Sequence, residues 1–146
     1  MVEVARAFAE DVLAIAAMEQ EPGTKEFILP SSLEEHSEKM TDPDIVYLRI
    51  THEDALVGFF ILALDSDESS VEFRRIVVTT KGKGFGQGAV TQMEHYCRTE
   101  LRRSRVWLDV YEHNTRARHI YQKLGYRTFG HTAHEETHLL LYEKQL

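Results

Sequence analysis

One cysteine, one tryptophan and three prolines are spread over 146 residues, and each shortage excludes something. A single thiol, Cys97, cannot close an internal disulfide, so the chain is no stapled extracellular scaffold and a reducing compartment is expected. The few prolines form no Pro- or Ser-rich linker, and no repeat or low-complexity run marks a domain boundary. No stretch approaches the roughly 18 consecutive apolar residues of a membrane helix. Met1-Val2-Glu3-Val4-Ala5-Arg6 lacks the charged-then-apolar layout of a signal peptide. Basic residues are also in deficit: 17 Lys+Arg face 24 Asp+Glu, a formal net charge of −7. That balance disfavours holding nucleic acid through phosphate neutralisation and favours cationic substrates. The expectation is a single soluble domain over residues 1–146, cytoplasmic, with no nucleic-acid or membrane partner.

What is present is 42% hydrophobic content, enough for a sizeable core, in a pattern that alternates between the two structural periods. A strand is read at Val2–Phe8 and a helix over Glu10–Glu19, with Val12, Leu13, Ala16 and Ala17 on one face and a break at Pro22-Gly23. Ser32-Leu33-Glu34-Glu35 has the layout of a capping box, a hydroxyl followed three residues later by a carboxylate. It opens a second helix carrying Leu33, His36 and Met40. Strands follow at Ile45–His52, Leu56–Leu64 and Val71–Val78, joined by the polar turns His52-Glu53-Asp54 and Asp65–Ser70. Then Val90, Met93, Cys97 and Leu101 recur at helical intervals between Gly86 and Glu100, and Val106, Leu108 and Val110 alternate in a strand at Arg105–Val110. A helix from Asn114 to Leu124, closed by Gly125, and strands near Tyr126–Thr132 and His138–Glu143 complete the order β-α-α-β-β-β-α-β-α-β-β. An antiparallel meander feeding a βαβ crossover predicts an α/β (α+β) fold: a mixed, mostly antiparallel sheet of about seven strands with about four helices packed on it.

The most informative segment is Thr79-Thr80-Lys81-Gly82-Lys83-Gly84-Phe85-Gly86-Gln87-Gly88-Ala89, four alternating glycines between a strand and a helix. Glycines let backbone N–H groups approach an anion unobstructed, and the helix N-terminus behind them adds about half a positive charge. A pyrophosphate suits such a loop, although a glycine-rich turn that merely closes a strand onto a helix has the same composition. An NTPase loop is excluded because no Lys-Ser or Lys-Thr follows the glycines. Gly84-Phe85-Gly86-Gln87-Gly88-Ala89 does match Gly-x-Gly-x-x-Ala, with Asp109 about 20 residues on, but three antiparallel strands precede it where a dinucleotide fold opens on a βαβ unit.

Lys81-Gly82-Lys83-Gly84-Phe85-Gly86 resembles the pyrophosphate loop of the GCN5-related N-acetyltransferases (GNAT), Gln/Arg-x-x-Gly-x-Gly/Ala, with Lys81 in place of the usual Gln or Arg. The preceding Glu72-Phe73-Arg74-Arg75-Ile76-Val77-Val78 is similar to that family's central strand. Downstream, Leu108-Asp109-Val110 through Asn114-Thr115-Arg116-Ala117 to Tyr121 and Gly125-Tyr126 resembles its Leu-x-Val-x-x-x-Asn-x-x-Ala-x-x-x-Tyr-x-x-x-Gly-Phe/Tyr segment. Two motifs in the right order cover roughly residues 71–130; residues 9–44 resemble nothing diagnostic.

The resemblance implies acetyl-CoA as cosubstrate, direct attack of a primary amine on the thioester in a ternary complex, and a possible homodimer, with no metal. Backbone N–H groups of Ile76, Val77 and Val78 would face the developing oxyanion. Gly82, Lys83, Gly84, Phe85, Gly86, Gln87 and Gly88, with Lys81, would receive the pyrophosphate; Arg116 and Arg118 would meet phosphates, and Asn114 would bond the pantetheine arm or cap its helix. Tyr121 is implied as both a cofactor contact and the general acid, its free pKa of about 10 just above that of the thiol. By spacing alone Tyr121 joins Ala117, Ile120 and Leu124 in an apolar stripe. Glu72 is implied as the base, often through a water, with Glu112 second; a surface ion pair between Glu72 and Arg74 is the structural alternative. A non-catalytic acetyl-CoA-binding sensor or interaction module would need the loop but neither Tyr121 nor Glu72.

The remaining features read as structure. His131, His134 and His138 straddle a turn without the ordered spacing of a zinc site. Cys97 and Trp107 read as packing. Glu19, Glu21, Glu34 and Glu35 form either a solvated face or a negative surface for a cationic amine.

Overall fold

The computed structural model describes every residue except 26, 27, 29, 81, 135 and 136. Seven strands form one sheet in the order β1-β2-β3-β4-β5-β7-β6. They are β1 (Val2–Arg6), β2 (Ile45–His52), β3 (Ala55–Leu64), β4 (Ser70–Val78), β5 (Arg105–Tyr111), β6 (Arg127–His134) and β7 (Thr137–Gln145). Every neighbouring pair is antiparallel except β4 with β5. The helices are α1 (Val12–Glu19), α2 (Pro22–Lys25), α3 (Leu33–Thr41), α4 (Phe85–Thr99) and α5 (Thr115–Lys123), and a 3-10 turn at Ala9–Asp11 leads into α1. The predicted order holds apart from the added short helix α2, and the meander-then-crossover topology removes the dinucleotide alternative.

Two expectations are corrected. Pro22 opens a one-turn helix where a break was read, because a proline in the first helical turn sacrifices no hydrogen bond. In α1 the buried residues are Ile15, Met18 and Glu19, while Leu13 is 68% exposed. A helix apolar on every side carries no periodic signal, so its orientation is set by what it packs against.

Helices lie on both faces of the sheet. On one face Val90, Met93 and Cys97 of α4 join Leu48, Phe60, Leu62, Val106 and Leu108 in the larger core, with Ala117, Tyr121 and Leu124 of α5 packed at its margin. On the other, Ile15 and Met18 meet Tyr47, Phe59, Ile61 and Val77. Each fully buried large apolar side chain contributes about 1.5–3 kcal/mol. The turn at Glu53 and Asp54 takes positive φ at both residues (50° and 66°), the twist a tight hairpin requires. α3 begins with the capping box read from sequence: Glu35 N–H donates to Ser32 Oγ at 3.1 Å, and Ser32 N–H donates to Glu35 Oε1 at 2.9 Å.

Candidate active site

β4 and β5 are paired only where Ser70–Glu72 lie beside Arg105–Trp107. Beyond that point the two strands continue to Val78 and Tyr111 without pairing to each other, so the sheet opens into a wedge edged by backbone N–H and C=O groups. A bulge sharpens the opening. Glu72 lies opposite Ala63, Phe73 opposite Leu62 and Arg75 opposite Ile61, leaving Arg74 as the extra residue on β4. Across the sheet, Gly58 of β3 admits β4 at a distance no side chain tolerates: a Cβ there would stand 2.1 Å from the Val77 carbonyl oxygen.

Two cavities of about 430 Å³ each meet in the wedge. The first runs from Ile76 and Val78 past the glycine loop to Arg116, Ile120 and Tyr121. The second lies among Phe73, Arg75, Asp109, Tyr111 and Asn114, and the two share Ile76, Ala117 and Tyr121. The α5 stripe is therefore only half-buried, because Ala117, Ile120 and Tyr121 face cavity as well as core.

The loop has the geometry an anion needs. Gly82 and Gly84 adopt φ of +77° and +73°, and a Cβ at either would meet no protein atom within 4 Å. Gly84 is the N-cap of α4, so the N–H groups of Phe85, Gly86 and Gln87 lack intrahelical partners and line the first cavity. Gly88 differs: its N–H already donates to the Gly84 carbonyl at 3.2 Å, and it faces Val2 of β1. Lys83 is exposed and lines neither cavity, and Lys81 lies outside the described residues. Val77 turns its side chain into the opposite core, while Ile76 and Val78 flank the cavity. Arg116 lines the cavity, whereas Arg118 is committed to Tyr142 Oη at 3.2 Å and the Glu112 carbonyl at 2.9 Å, so the phosphate role raised for it is dropped.

Tyr121 stands at the junction, edge-on to Phe73 (5.9 Å between centroids, 84°). Burial pushes its phenol up to about 12. The near-equality with a thiol of about 8.5 therefore does not hold, and the phenol is a neutral donor throughout the physiological range. Asn114 Oδ1 accepts from Ala117 N–H at 3.2 Å, an N-cap, and the residue also lines the second cavity. Glu72 is held by Arg74 (Nε to Oε1, 2.9 Å), the ion pair foreseen as the structural alternative, and lines neither cavity although Arg74 lines the second. Glu112 is exposed and lines neither.

Sequence reasoning missed the arginine in the wedge. Glu19, read as surface, is 0% exposed. Its Oε2 accepts from Arg75 Nη1 at 2.6 Å, and its Oε1 accepts from Ser31 N–H at 2.9 Å and meets His36 Nε2 at 2.6 Å. His36 Nδ1 in turn lies 2.6 Å from Tyr47 Oη. Burial raises the Glu19 carboxyl, but the hydrogen bonds from His36, Ser31 and Arg75 outweigh it and hold the group below its ordinary range. The only sequence sign was a glutamate at the end of an otherwise apolar helix. Gly58, alone in an apolar strand, was a legible sign left unread.

The model of the acetyltransferase (GNAT) family matches residues 12–126, from α1 to the residue after Gly125. The chain belongs to this family. Its reaction is the acetyl-CoA-dependent acetylation of an amine. This acetyltransferase is 30% identical over 106 residues to an uncharacterized N-acetyltransferase of Mycobacterium tuberculosis (strain ATCC 25618 / H37Rv), covering 68% of this chain and 67% of the relative. Its fold matches a chimera of the Vibrio cholerae spermidine N-acetyltransferase SpeG and hSSAT with a TM-score of 0.85 at 21% identity, covering 99% of this chain and 95% of that one. A second structure, the V. cholerae spermidine N-acetyltransferase in complex with CoA and spermine, matches with a TM-score of 0.83 at 19% identity over 99% and 95% of the two chains.

Proposed function

We propose that this acetyltransferase joins its two substrates in one ternary complex, acetyl-CoA in the first cavity and the amine in the second, with direct attack where they meet. The observation that carries the reading is that both cavities share Ile76, Ala117 and Tyr121. The unpaired amides of Phe85, Gly86 and Gln87 receive the pyrophosphate, with Arg116 beside them. Thioester cleavage develops charge first on the carbonyl oxygen and then on sulfur. N–H groups on the free edge of β4 near Ile76–Val78 stabilise the oxyanion, and Tyr121 donates to the departing sulfur. The attacking amine must shed a proton. Glu72 is assigned that role through water; its support is its place on β4 next to the cavity-lining Phe73 and Arg74. Asn114, which lines the second cavity beside the shared Ala117, is assigned to the end of the pantetheine arm where it reaches the junction, through its amide nitrogen, since its oxygen caps α5. A cytoplasmic setting goes with this reading, supported by the use of a single cysteine, Cys97, which is buried and forms no internal disulfide.

Calorimetry with acetyl-CoA, using NAD and ATP as controls, tests the cofactor assignment, and thiol release over an amine panel tests turnover. One-to-one binding of acetyl-CoA alone is expected; preference for NAD would defeat it, and binding without turnover of any amine would make the chain a sensor module.

A further inference from the structure

Resting on the acetyl-transfer reading, we propose that the acceptor is an amine that also carries a carboxylate, which Arg75 binds in the second cavity. The bulge at Arg74 sends Arg75 to the opposite face from Phe73, and its side chain, 21% exposed, lines the second cavity together with Ile76 and Tyr121. The guanidinium is anchored at one nitrogen by a buried carboxylate. Glu19 takes only Nη1, and no other side-chain partner of Arg75 occurs among the described residues. Glu19 is fixed in turn by the Ser31 amide and by His36, itself backed by Tyr47, so α1, α3, β2 and β4 all converge on one side chain. A carboxylate with no solvent exposure is costly to bury, and well-packed apolar residues would stabilise the same space as well or better. The arrangement makes sense as a device that presents a planar fork of donors, shaped for a carboxylate, to the cavity.

The rest of the wall agrees. Arg74 stands next in sequence on the same cavity, paired to Glu72, while Asp109 and Tyr111 line the cavity from β5. A zwitterion fits this polarity, with its carboxylate on β4 and its amine towards Tyr121 and Asp109. A polyamine suits it less, because its distal ammonium would meet the guanidinium groups of Arg74 and Arg75, which repel it and offer no acceptor.

The test uses the wild-type chain, first shown by calorimetry to bind acetyl-CoA, and measures thiol release with matched acceptors: free amino acids, their amides, the corresponding decarboxylated amines, and spermidine. Free α-amino acids, ω-amino acids and short peptides ending in lysine locate the amine relative to the carboxylate. A kcat/KM for the free acid about 100-fold above that of its amide is expected, the effect of leaving a built polar site unpaired. Arg75→Lys, which keeps the charge beside Glu19 but loses the fork, should shrink that ratio towards one, with acetyl-CoA affinity reporting that the fold survives. Free acids that never exceed their amides, or a preference that survives Arg75→Lys, would overturn the proposal. Loss of acetyl-CoA binding in the wild type would strike the underlying reading instead.

Discussion

The two faces of the sheet solve different problems. On the α4/α5 side the core also holds a carboxylate, Glu94, bonded to Tyr126 and Lys144, but it lines neither cavity, and the first cavity owes its shape to backbone: a loop with positive φ at Gly82 and Gly84, a helix start, and an unpaired strand edge. On the α1/α3 side the core encloses a carboxylate, an imidazole and a phenol, and the Arg75 wall of the second cavity depends on that charged network. Backbone recognition suits a cosubstrate common to the family, whereas side-chain recognition suits a partner that varies. Changes on the first face should therefore act on acetyl-CoA, and changes on the second on stability and acceptor choice.

The largest effect that would break this contrast is on the loop. Gly84→Val should abolish acetyl-CoA binding by calorimetry. The protein itself leaves room for the side chain, so the loss comes from a β-branched residue at φ +73° and from occlusion of the ligand. Glu19→Ala should cost about 3–5 kcal/mol in denaturant unfolding, because it leaves Arg75 and His36 without their buried partner. The pH dependence follows from the same group. A carboxyl held below its usual 4.5 stabilises the fold above that value, and the contribution fades as pH falls beneath it. Glu19→Gln should flatten that acid limb. Tyr121→Phe should lower kcat about 100-fold with acetyl-CoA affinity unchanged. Its phenol, displaced to about 12, should contribute no alkaline loss of rate near pH 10. Turnover unaltered in Tyr121→Phe would remove it as the acid. Smallest, Ser32→Ala should cost about 1 kcal/mol through loss of the α3 cap, with no effect on acetyl-CoA affinity.

The glycine loop, the capping box at Ser32 and the stripe at Val90, Met93 and Cys97 were legible because each is a local pattern whose period or spacing is its own cause. The orientation of α1 was not, since Leu13 and Ile15 are equally apolar and only the neighbouring sheet decides which is buried. The surroundings of Glu72 were half-legible: alternation foresaw its pairing with Arg74, but not the bulge that turns Arg75 into the wedge.

By itself the sequence determined the order of elements, the family and the glycine loop between β4 and α4, because these rest on patterns among residues near in the chain. Only the tertiary structure decided the wedge between β4 and β5, the burial of Glu19 56 residues before Arg75, and the junction at Tyr121. Those depend on strand register and on desolvation, which exist only once distant segments are packed together.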